Sequence, residues 1–306
     1  MIVCIGEILV DLIGQKVNNT MSYQTFAGGA PFNVACGIAK YGGNVQFVGN
    51  VGVDLMGQFL IDFASKIPFS KTLITEDPFH NTTLAFVAND DDGERHFSFY
   101  HKNQADFHIP KTSLEAIKQA DIVHLGSLLL SEPKGRELAN HIIKLVKKSH
   151  KSLSFDVNYR DDLFVDAQTA INIYTYYAKK ADYLKISQDE LILFTGETDL
   201  EKGLMKLTTK NQIVFLTLGK DGSVFFHHGR LLKVPSIIVK PIDTTGAGDA
   251  FYAGVLVNLD KLDIDDLTDE QIVQILRFGN ISGALVTTKK GAIDALPTLD
   301  EINNLM

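Results

Sequence analysis

Between residues 121 and 218 the chain repeats one unit several times: a short apolar run, then an amphipathic stretch. Residues 121–126, 153–157, 183–186 and 213–218 read as strands, and 133–148, 166–180, 188–195 and 201–209 as helices. Strands separated by helices of this length pair in parallel, with each helix crossing over the sheet. The expected fold class is therefore α/β, a mainly parallel sheet flanked by helices. Residues 2–10 form a nearly unbroken apolar run, the pattern of a central strand buried on both faces, with Asp11 at its carboxyl end. Helices over 31–41 and 54–66 with a strand at 46–51 continue the pattern, a hairpin at 224–234 turns at His228-Gly229, and helices over 249–262, 269–287 and the final residues close the chain.

Two stretches break the alternation. Residues 12–26 are polar and loosely alternating, and the strand-like runs 82–88 and 94–100 flank an Asp-Gly turn signal at 90–93. The second run puts Phe97 and Phe99 on one face and His96, Ser98 and Tyr100 on the other. About 12–27 and 82–102 are expected to form a small β-sheet lid that keeps water from a ligand site. Its outer face would expose apolar side chains, so a homodimer through this sheet is expected. No repeat or linker divides the chain, and 1–306 reads as a single domain.

Composition narrows the function. The 306 residues are 45% apolar and 22% charged, ordinary for a folded globular chain. A net charge of −8 argues against nucleic acid and anionic membrane as partners. Cys4 and Cys36 sit in apolar settings without metal-ligand spacing and read as buried thiols. The start lacks a signal-peptide pattern, and no apolar run reaches the ~18 residues of a membrane span. A cytoplasmic protein is expected.

The chemistry concentrates in Asp243-Thr244-Thr245-Gly246-Ala247-Gly248-Asp249-Ala250-Phe251-Tyr252-Ala253-Gly254. Small residues before a helix let main-chain N–H groups face open space, and the helix dipole favours an anion there. Asp249 in the first turn is either a cap or a base, since a carboxylate beside a phosphate repels it unless it takes a proton. A second motif, Gly28-Gly29-Ala30-Pro31-Phe32-Asn33-Val34-Ala35, puts flexible glycines and an amide at another helix start.

Together these motifs, in this order over 2–297, resemble the ribokinase-like (PfkB) family of carbohydrate kinases, and within it the fructokinases. The resemblance implies an ATP-dependent sugar kinase with a ribokinase-like fold. Asp249 matches the catalytic base, and the backbone of Gly246, Ala247 and Gly248 matches the anion hole around the transferred phosphoryl group. Asp11, Gly28, Gly29 and Asn33 match sugar-binding positions, with Phe99 from the lid. Arg160, in Asp156-Val157-Asn158-Tyr159-Arg160, would bind phosphate or sugar, or else pair with Asp161 or Asp162 at the surface.

The nucleotide side is read the same way. Lys185-Ile186-Ser187-Gln188-Asp189-Glu190 matches a family stretch with Asn where Ser187 stands, and Glu190 there orders waters around magnesium. Thr217, Gly219 and Gly222 match positions against which nucleotide lies. Asn280 and Ala284, with Gly283, fall on the helix that builds the adenine pocket, where core packing is the competing reading. ATP and Mg2+ are implied cofactors, and some relatives hold K+ through residues matching Asp243, Thr245 and carbonyls near Gly291. Fructose is the expected acceptor, although His101 stands where fructokinases usually carry Arg. Another ketose, ribose, a keto-acid sugar or a nucleoside are alternative acceptors, and a sugar sensor without turnover is an alternative function.

Overall fold

The computed structural model describes residues 1–17, 20–89, 95–100, 102–260, 262 and 267–306. Its strands are β1 (Ile2–Ile5), β2 (Leu9–Val17), β3 (Thr20–Gly28), β4 (Val45–Gly52), β5 (Lys71–Asp77), β6 (Leu84–Asn89), β7 (Arg95–Tyr100), β8 (Ile122–Leu125), β9 (Ser152–Asp156), β10 (Tyr183–Ser187), β11 (Ile213–Thr217), β12 (Ser223–His227) and β13 (Arg230–Val234). Its helices are α1 (Ala30–Lys40), α2 (Leu55–Ala64), α3 (Pro133–Lys148), α4 (Ala167–Ala178), α5 (Gln188–Thr195), α6 (Leu200–Leu207), α7 (Ala247–Leu259), α8 (Asp269–Val286) and α9 (Leu299–Asn303).

Nine strands form the main sheet in the order β13-β12-β11-β10-β9-β8-β1-β4-β5. All pairs from β11 to β5 are parallel, and β12 and β13 add an antiparallel edge. Buried strands alternate their side chains between two cores, as the pleat requires. In β1, Ile2 and Cys4 enter one core with Phe32, Phe47 and Tyr252, while Val3 and Ile5 enter the other with Val48 and Leu125. Cys4 and Cys36 are buried free thiols, as the apolar setting predicts. From β1 the chain builds outward through β4 and β5, then returns to β8 on the other flank of β1. That reversal opens a crevice at the strands' carboxyl ends, where open α/β sheets take ligands.

A second sheet has the order β3-β2-β6-β7, with β2 and β6 parallel and its other pairs antiparallel. The turn signal at 90–93, Glu94 and His101 lie outside the described residues. One rung runs Phe26, Asp11, Ala85, Phe99 across all four strands. On the other face Phe86 makes edge and tilted contacts with Tyr23 and Tyr100, at 5.3 and 5.2 Å between centroids. Met21, Tyr23 and Tyr100 are exposed.

Three readings of the sequence need correction. Residues 2–10 are not one strand: Gly6 turns at φ +152°, β1 ends at Ile5, and Leu9 opens β2 in the other sheet. Asp11 therefore lies within β2, not past the end of a central strand. Periodicity missed this because both segments are apolar. The helix expected from 249 starts at Ala247, after a left-handed Gly246 (φ 76°). β5 went unread because an edge strand of Lys71-Thr72-Leu73-Ile74-Thr75-Glu76-Asp77 carries too little apolar pattern. The hairpin at His228-Gly229 is present, with both residues at positive φ.

Candidate active site

A cleft of about 430 Å³ lies between the two sheets and the start of α7. Its base is the turn into α7. A Cβ on Gly246 would stand 2.6 Å from the Ala292 Cβ, so glycine is needed for both space and φ. Ala247 and Gly248 then open the helix, which leaves first-turn N–H groups without intrahelical partners. A Cβ on Gly248 would lie 2.8 Å from Lys185 Nζ, so an ammonium sits directly beside this turn.

Asp249 is the third residue of α7 and opens on the cleft. Asn33, from the first turn of α1, donates through Nδ2 to Asp249 Oδ2 at 2.8 Å. Asn33 caps nothing: the N-cap of α1 is Gly29, which has φ 109° and no side chain to use. Its Oδ1 is buried and has no partner among the described residues. Burial raises the Asp249 carboxyl pKa above the ordinary value, while the Asn33 hydrogen bond and the Lys185 and Arg160 charges pull it back. The result is a somewhat strengthened base whose orientation is set by an amide.

Lys185, in the middle of β10, is buried and ion-paired with Asp156 of β9 at 3.0 and 2.8 Å. Burial pushes Asp156 up to about 7 against the pull of Lys185. Burial would lower the Lys185 pKa, but the surrounding Asp156 and Glu190 charges outweigh it and raise it. Arg160 lines the same cleft and donates to the Tyr159 carbonyl at 3.0 Å.

Strands β2 and β7 of the small sheet supply Asp11 and Phe99, on one rung with Ala85 between them. Gly28 pairs with Leu9, diagonal to Asp11, and a Cβ there would collide with Asp11 Oδ2. A Cβ on Gly29 would stand 2.5 Å from the Glu7 carbonyl oxygen. The structure thus brings Asp11, Gly29, Asn33, Phe99, Arg160 and Asp249 to one cleft, with Gly28 behind Asp11.

The other predicted residues form a second group. Ser187 and Glu190 make a reciprocal capping box at the start of α5, and Glu190 Oε1 also accepts from Tyr159 N at 2.8 Å. Gly219 and Gly222 follow β11, past Thr217, at φ 57° and 100°. Gly222 packs on the Val234 carbonyl, the group to which Asn280 Nδ2 donates at 3.0 Å. Ala284 is one turn further along α8, next to Gly283, where a Cβ would meet the Ala247 oxygen at 2.9 Å. Gly283 thus packs α8 against the start of α7. Asp243 accepts from Thr245 N at 2.8 Å and from Gly291 N at 3.1 Å, so the three segments expected around a monovalent cation are adjacent.

Sequence reading missed Glu7 and Asn158, both in the cleft wall. Glu7 is the acidic residue inside the apolar 2–10 run, a signal that was available. Asn158 sits at φ 40°, a left-handed position where Asn is common, within a motif already singled out.

A parallel α/β sheet with a buried carboxylate in an anion-binding helix turn, facing a polar cleft under a second sheet, defines a kinase acting on small hydroxylated molecules. Comparison with known proteins agrees. The family model for pfkB family carbohydrate kinases matches residues 1–299. The chain belongs to that family. It is 36% identical to the probable fructokinase-5 of Arabidopsis thaliana over 316 residues, covering 100% of this chain and 97% of that protein. Among solved structures it is similar to the fructokinase of Xylella fastidiosa with bound ATP (TM-score 0.88, 30% identity, 99% of this chain and 97% of that one). It is equally similar to the fructokinase of Vibrio cholerae O395 with fructose, ADP and calcium (TM-score 0.88, 31% identity, 99% and 98%). A double mutant of the latter carries fructose, ADP and potassium (TM-score 0.88, 30% identity, 99% and 97%). Among the described residues no helix is long and apolar enough to cross a membrane.

Proposed function

We propose that the protein is an ATP-dependent fructokinase that converts D-fructose to fructose 6-phosphate. The observation that carries the reading is the Asn33–Asp249 pair at the mouth of the α7 turn. The sugar's primary hydroxyl loses its proton to Asp249 as its oxygen bonds to the γ-phosphorus. The bond from that phosphorus to the β–γ bridging oxygen breaks, and ADP leaves. N–H groups of Gly246, Ala247 and Gly248 stabilise the charge on the transferring group, with Lys185 beside them. Asp11, Gly28, Gly29, Asn33, Phe99 and Arg160 hold the sugar, a carboxylate being able to accept from two neighbouring hydroxyls.

ATP lies along Thr217, Gly219, Gly222, Asn280 and Ala284. Glu190 would hold Mg2+ through ordered water, and the ion would supply positive charge that offsets that of the phosphates. Glu190 would do this while keeping its capping bonds, since it already sits close enough to Lys185 and Asp156 to shift both. Potassium would sit by Asp243, Thr245 and Gly291. The four-stranded sheet serves as the lid over the sugar, and its exposed Met21, Tyr23 and Tyr100 support a homodimer through the opposite face. Cytoplasmic location follows from the need for ATP.

The test is ADP release over a panel of fructose, other ketoses, ribose, keto-acid sugars and nucleosides, with and without potassium. Turnover highest with fructose supports the reading. Preference for a nucleoside makes the protein a nucleoside kinase, and fructose binding without ADP release makes it a sensor.

A further inference from the structure

The cleft wall holds one ionisable group that the scheme above leaves idle. Glu7 follows β1 directly after the Gly6 turn, and Gly126 follows β8, the strand paired with β1 on its other flank. The chain reverses its direction of sheet building between these two strands, so Glu7 stands at the crevice where such sheets receive ligands. It is clamped on both sides by glycine. A Cβ on Gly126 would collide with Glu7 Oε2, and the Glu7 main-chain oxygen occupies the space beside Gly29. The fold therefore keeps one position, Gly126, bare beside this side chain, while Gly29 makes room for the main chain that carries it. Two buried side-chain atoms of the cleft wall, Glu7 Oε2 and Asn33 Oδ1, have no hydrogen-bond partner among the described residues. Buried polar atoms in native proteins are nearly always satisfied; of the unpartnered buried atoms among the described residues these two belong to the cleft wall, so a polar ligand would complete them once the side chains turn toward the cleft.

We infer that Glu7 is a further sugar-contacting residue, its carboxyl meeting a hydroxyl of the acceptor from the β1–β8 side of the cleft. This rests on the kinase reading above. The state of the carboxyl fits the role. Burial drives its pKa well above the usual carboxylate range, Asp106 and Asp249 push the same way, and Arg160 opposes them. Tyr174 feels Glu7 but is itself neutral, its own pKa pushed up by burial. A neutral carboxyl can give one hydrogen bond and accept another, which matches a sugar hydroxyl. An ionised Glu7 could only accept, and would put a second negative charge beside Asp249.

Glu7→Ala and Glu7→Gln test this, with sugar and ATP varied separately from neutral to alkaline pH and fructose binding followed by calorimetry. Glu7→Ala should raise the KM for sugar about ten-fold and leave the KM for ATP unchanged. Glu7→Gln keeps shape and neutrality, so it should recover most of that loss and lose the part of the alkaline decline that Glu7 ionisation causes. Thermal melts of both variants check the fold, and Glu7→Gln carries the test should Glu7→Ala not fold. An unchanged sugar KM in Glu7→Ala, a matched rise in both KM values, or a Glu7→Gln enzyme with the full loss overturns the inference. A wild type that binds fructose without transferring phosphate overturns the kinase reading alone, because the Glu7 contact is then read from the Kd.

Discussion

The proposed sugar site and the proposed nucleotide site are made of different material. At the sugar end side chains from several elements converge: Asp11 and Phe99 from the small sheet, Asn33 from α1, and Arg160 past β9. In the proposed nucleotide site Gly219 and Gly222 stand at positive φ past β11 and offer main chain. Polar side chains there are already engaged, Ser187 and Glu190 in a helix cap and Asn280 on the Val234 carbonyl. Side chains read hydroxyl patterns, and a missing partner leaves a buried group unpaired. Main chain holds phosphates without depending on which residue supplies it. Acceptor specificity should therefore be fragile to substitution at one end, and nucleotide binding robust at the other.

The sharpest break should come at the junction of the two ends. Asp249→Asn is isosteric, and its amide can still meet Asn33 once rotated. It should lower kcat by ~10²–10⁴ while both KM values hold. Near wild-type turnover would falsify Asp249 as the base. The pH profile adds a second check. Burial raises the Asp249 pKa, and the base acts only when ionised. Activity should thus climb with pH through a value above the ordinary carboxylate range, and an acid limb at the ordinary value would contradict this environment. The same shift has a cost in stability: a buried carboxyl with raised folded pKa stabilises the fold below its unfolded pKa and loses that contribution as pH rises through the folded one.

Next in size is Asp11→Ala. Loss of a charged hydrogen-bonding group costs about 1.5–3 kcal/mol, or roughly ten- to a hundred-fold in kcat/KM for the sugar. The KM for ATP should not move. Equal damage to both substrates would mean that the sugar end is not separable from the nucleotide end, and the contrast between them would fail.

The contrast also explains what was legible in the chain. The alternation over 121–218 reported the main sheet faithfully, because each strand there is bounded by a helix of a different period. Asp249, Asn33 and the glycines before them were readable because an anion-binding turn has few sequence solutions. The Gly6 break was not readable: β1 and β2 are both apolar, and only the tertiary contact of Gly6 with Pro31 and Gly126 separates them. Nor were the Lys185–Asp156 pair and the Asn33–Asp249 bond, whose partners lie 29 and 216 residues apart. Local pattern carries no information about contacts of that range. Glu7 stood in view, but its burial became visible only once Gly126 was beside it.

The smallest effect belongs to the nucleotide end, and it can damage the comparison most cheaply. The Ser187 hydroxyl accepts from Glu190 N at 3.3 Å while Glu190 returns a bond to Ser187 N at 2.7 Å. If the hydroxyl only caps α5, Ser187→Ala should cost about 1 kcal/mol of stability, seen as a lower denaturation midpoint. Kinetics with ATP and sugar should stay within two-fold, because Glu190 keeps its bonds to Ser187 N and Tyr159 N. A raised KM for ATP with unchanged stability would place Ser187 in the phosphate network instead. In that case the nucleotide end reads side chains after all, and Ser187 would contact ligand as well as cap the helix.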